Sequence, residues 1–142
     1  MTIAELLLPE FDQEMASTRK MLERVPDEKF AWKPHDKSFS MGNLASHIAN
    51  LVSWTDETMN KTEVDMAKVP PEEMNRAAKN RADLLATFDA NAAKARAALQ
   101  KPDADYFVPW SLKNGAQLGV YLRLNNVAVP GVYGPSADEP NF

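Results

Sequence analysis

At 142 residues with 44% apolar side chains, the chain has the length of one domain and enough apolar content for one core, so a single domain over residues 1–142 is expected. It has 16 basic and 20 acidic side chains, a net charge of -4, and no Lys or Arg cluster dense enough to follow a phosphate backbone, which argues against a nucleic-acid partner. The absence of cysteine excludes disulfides, thiolate metal sites and a cysteine nucleophile within these residues.

The opening MTIAELLLPEF carries acidic residues where a secretion signal is basic, and Pro9 interrupts its short apolar stretch. No segment approaches the roughly 20 apolar residues that cross a bilayer. The expectation is a cytoplasmic protein without a membrane partner. Ile3, Leu7, Phe11, Met15, Thr18 and Leu22 recur three or four apart, which predicts a first helix over about residues 2–24. Thr2 and Glu5 are spaced for a capping box, and Pro9 predicts either a kink or a later start.

DEKFAWKPHDKS reads as a loop held by its aromatics, and Ser40 as the cap of a second helix running to about residue 61. On that helix Leu44, His47, Ile48, Leu51 and Trp54 share a broad face, which points His47 toward the core. Pro70 and Pro71 suggest the start of a third helix, with Leu85, Phe88, Ala92, Ala95 and Leu99 in its seam and an end near residue 100. The run AQLGVYLRLNN, residues 116–126, then predicts a helix too short to cover its partners, followed by a Pro- and Gly-punctuated strap. Another subunit, a loop folding back, or residues absent between Gly115 and Ala116 would each account for the shortage.

His47 is the leading candidate for chemistry, because imidazole binds divalent metals and exchanges protons near neutral pH. The plainer reading is a packed, hydrogen-bonded core histidine. His35, the other histidine, lies in the KPHDKS loop and reads as exposed. Trp54, Gln117 and Tyr121 are candidate pocket residues, with core packing the plainer reading for the aromatics. Gly-rich phosphate loops, HExxH and GxSxG are all missing.

KSFSMGNLASHIANLVSW, residues 37–54, and AQLGVYLRLNNVAVPGVYGPSADE, residues 116–139, resemble the DinB-like metalloproteins, the damage-inducible helical proteins rather than the DNA polymerase. The resemblance implies an all-α four-helix bundle with a long crossover, here with a shortened fourth helix, and commonly a homodimer. It also implies a divalent metal, Ni or Zn, on three histidines, of which His47 matches the one on the second helix. The other two belong to an HxxxH stretch ending just before the AQL run, where this chain has Lys113, Asn114 and Gly115. The metal is therefore expected only if further histidines exist in a longer chain, and no cofactor otherwise. The implied activity is a metal-dependent hydrolase or a thiol S-transferase acting on a small molecule. The alternative is a non-catalytic dimeric helical scaffold with a degenerate site.

Overall fold

Thr2 begins the first helix as its spacing to Glu5 predicts: the Thr2 hydroxyl accepts the Glu5 N–H at 3.1 Å and the Glu5 carboxylate accepts the Thr2 N–H at 2.7 Å. In the computed structural model, which describes residues 1–70, 76–108 and, as backbone, 111–113, this helix is α1, Ile3–Leu22. Pro9 lies inside α1 and does not end it. The Asp103 carboxylate, distant in sequence, accepts the Ile3 N–H at 2.8 Å and so satisfies another free donor of the first turn.

A loop with one 3-10 turn, Asp27–Lys29, leads to α2, Met41–Leu51, where the Ser40 hydroxyl caps the Asn43 N–H. The single helix expected to residue 61 is divided in two. Helix α3, Ser53–Asn60, follows α2 across Val52, which keeps helical dihedrals of φ -61° and ψ -29°. At this joint the Ser53 hydroxyl donates to the Asn50 carbonyl at 2.7 Å, a local bond that competes with the regular ladder.

The third long helix is shorter than its prolines suggested. Here named α4, it spans Arg81–Ala98, while residues 76–80 are not helical. Asn80 is extended, at φ -162° and ψ 177°, and its side chain accepts the Asp83 N–H at 2.9 Å. The Ala78 N–H is committed to the Ser46 hydroxyl at 2.8 Å, so the chain is drawn onto α2 before α4 begins.

Two paired arginines fasten α4 antiparallel to α1. Arg96 grips Asp12 with two bonds of 2.8 and 3.0 Å, and Arg19 grips Asp89 with the same two distances. These hydrogen bonds hold the Asp12 and Asp89 carboxyls below their ordinary range. In contrast, α2 and α3 run in the same direction as α4: Asn91 donates to the Ala49 carbonyl at 3.0 Å, and further along Lys101 donates to the Met59 carbonyl at 2.8 Å. The link between α3 and α4 must therefore travel back along the bundle. That return is the long crossover.

Leu22, Ala45, Ala49, Leu84 and Phe88 form the buried centre, joined by Met15, Val25, Phe30, Ile48 and Leu85. Small residues on α2 allow Leu84 and Phe88 of α4 to enter between the helices, a close-packed arrangement in which each lost methylene is felt. The described residues thus form an all-α DinB-like bundle of three major helical columns: α1, α2 with α3, and α4. The expected short fourth helix, 116–126, lies outside them. A feature not anticipated is a two-stranded parallel ladder pairing β1, Glu63–Asp65, with β2, Ser111–Lys113. No helix among the described residues is long and apolar enough to cross a membrane.

Candidate functional site

The site is built on α2, whose small residues turn one face inward. Gly42, Ala45, Ser46 and Ala49 are buried, whereas Leu44 and Leu51 remain 50% and 49% exposed. The expected inward face of Leu44, His47, Ile48 and Leu51 is therefore corrected by a rotation of the helix. Ile48 borders the core, but the buried stripe is the small-residue one, because only small side chains admit Leu84 and Phe88 so closely.

His47 falls between the buried and open faces and is half-buried. Its ring lies beside Phe39, with centroids 6.4 Å apart and planes inclined by 24°. This is an aromatic contact within the usual range for paired rings. Phe39 was missed in reading the sequence. Its only signal was a large apolar residue immediately before the Ser40 cap.

Trp54 is also half-buried, seven positions beyond His47 on α3, where helical spacing keeps it on the same side. Gln117 and Tyr121, the other pocket candidates, lie outside the described residues. His35 is exposed, as expected for its loop, and its Nδ1 accepts the Lys37 N–H at 3.1 Å. Asp56 accepts a 2.5 Å bond from Asn60, and Glu57 pairs with Lys61 at 2.5 Å, so both carboxylates are engaged along their own helix.

Ser46 has a structural role that adjacency to His47 did not reveal. Its buried hydroxyl donates to the Gly42 carbonyl at 2.7 Å and accepts the Ala78 N–H, which joins α2 to the end of the crossover. The useful sequence signal was the column of small residues at positions 42, 45, 46 and 49.

The nickel or zinc centre expected from the resemblance is corrected here. The sequence contains two histidines and no cysteine, and no group of three or more His, Cys, Asp or Glu among the described residues can hold a metal ion. A catalytic centre of this type uses three protein ligands and an open position, and His47 supplies one donor. The residues present do not fit the implied three-histidine set. What the face offers instead is an imidazole flanked by aromatic and aliphatic area.

The family model MST: Mycothiol-S-transferase matches residues 6–129, which include α2, α3, α4 and all of α1 except its first three residues. No curated protein and no solved structure matches the chain.

Proposed function

Because this chain belongs to the mycothiol-S-transferase family, in agreement with its DinB-like resemblance, we propose that it is a metal-independent helical scaffold of that family that binds a small molecule and works as a homodimer in the cytoplasm. The observation that carries this reading is the isolation of His47 on the three described helical columns: one half-buried imidazole beside Phe39, with no cluster of metal donors among the described residues. Exposed Met21 and Trp32 offer apolar area for a second copy.

The family match also supports thiol-transferase-type function in general, which makes S-transfer from a low-molecular-weight thiol the second reading. Hydrolysis gains no separate support. The decisive experiment combines thiol-consumption assays with an electrophilic acceptor and equilibrium binding of the same thiol, using the parent and His47→Ala. The scaffold reading predicts no turnover above the uncatalysed rate for either protein. Turnover that His47→Ala abolishes would replace it with the transferase reading. Light scattering across a broad concentration range checks the dimer, and a constant monomer mass would remove that part.

A further inference from the structure

We propose that residues 33–39 form a lid over His47, latched by the ring of Phe39, and that this lid lifts to admit a small molecule to the imidazole. The inference goes beyond the proposed function, because it concerns access to His47 and holds for a binding site or a transfer site alike.

The loop before α2 is closed at its base. The Met41 N–H donates to the Trp32 carbonyl and the Gly42 N–H to the Phe30 carbonyl, each at 2.9 Å, so the chain leaves and returns at one point. Phe30 packs on the buried core and against Gly42, which keeps that base in place. A surface loop with joined ends and its own internal bonds is a compact unit. Here the Ser38 N–H donates to the His35 carbonyl at 2.9 Å, the Lys37 N–H to His35 Nδ1 at 3.1 Å and the Lys33 ammonium to the Asp36 carbonyl at 3.4 Å.

Nothing comparable ties the tip down. Among the described residues no hydrogen bond or ion pair joins 33–39 to another element, and residues 33–37 are exposed. The directed contact that does cross is the Phe39 ring beside His47, with centroids 6.4 Å apart and planes inclined by 24°. A hydrophobic staple would account for a large residue before the Ser40 cap, but a staple packs on the fourth helical residue. That residue is Leu44, which stays 50% exposed, while Phe39 reaches His47 three positions further along. The ring therefore covers the imidazole. A segment with so few outward bonds opens locally while the rest of the fold stays intact. Raising Phe39 frees an apolar space of one ring beside His47, so the ligand class that fits is a small molecule with a flat apolar group next to a hydrogen-bonding group.

The sequence has two histidines, so exposed His35 serves as the reference in carbethoxylation by diethyl pyrocarbonate, read for each residue by peptide mass. Phe39→Ala is expected to speed modification of His47 by about tenfold and to leave His35 within about twofold, while Phe39→Tyr keeps the parent rate. An unchanged His47 rate in Phe39→Ala would overturn the proposal. A measurement on the parent alone stands beside the variant. Relative to His35, the His47 rate is expected to stay constant in urea below the unfolding transition, because lifting a lid exposes little surface. A rate that climbs with urea would mean that His47 is reached by unfolding, and the lid would be discarded. Benzyl alcohol, a ring beside a hydroxyl, is expected to slow His47 and spare His35, and equal rates with and without it would overturn the ligand class. No thiol enters these assays, so their failure is separable from failure of the functional reading.

Discussion

A methyl group on Gly42 would fall against Phe30 Cδ1 and within 3.0 Å of the Phe30 carbonyl oxygen. The Gly42 N–H also donates to that carbonyl at 2.9 Å, so the loop and the helix cannot readily separate to make room. Gly42→Ala is therefore expected to cost about 1–3 kcal/mol, measured as a lowered urea midpoint at unchanged slope. Ser46→Ala should also destabilise, by about 1–3 kcal/mol, because it leaves the Ala78 N–H without its acceptor. Ser46→Cys, which keeps a weak acceptor, would lose less if that hydrogen bond is the cause. The helical placement of His47 was legible from its spacing, but its neighbour Phe39 and its half-burial were not, since both depend on how far α2 is rotated.

At the scale of the helices, starts were legible where a side chain visibly satisfied the first turn. Thr2 with Glu5 and Ser40 before α2 both announce the observed caps. Asn80, three residues before Asp83, offered the same kind of signal for α4, but Pro70 and Pro71 suggested an earlier start. Asn80→Ala is expected to destabilise by about 1 kcal/mol, and Asn80→Asp to restore most of that loss, in thermal or urea denaturation. Helix periodicity could not reveal the break at Val52, whose dihedrals are themselves helical. Nor could it predict β1 and β2, which are only three residues each and depend on a partner far along the chain.

For the molecule as a whole, the paired carboxylates and Tyr106 give opposite pH limbs. Hydrogen bonds from Arg96 and Arg19 lower the Asp12 and Asp89 pKa values in the folded state, so their stabilisation is present above the unfolded carboxylate value and lost as pH falls through the folded values. Stability should therefore decline below about pH 4, by a modest amount because both pairs are well exposed. Asp12→Asn with Asp89→Asn should flatten this acid limb, and an unchanged limb would assign it to other groups. Burial first, and the charge of Asp103 second, raise the Tyr106 pKa above 10.0, so its contribution is complete below that pH and fades as pH rises through the folded value. Tyr106→Phe should weaken the alkaline limb, read as the urea midpoint against pH. The bundle, its crossover and the candidate histidine were thus accessible from apolar spacing and resemblance, while the missing donor set was visible as two histidines in the whole sequence. The β1–β2 ladder adds a constraint on biosynthesis: the first strand leaves the ribosome about fifty positions ahead of the second, so the crossover waits unpaired while α4 is still being made. Slowing translation after residue 80 would lengthen that wait and expose nascent chains to proteolysis between α3 and α4.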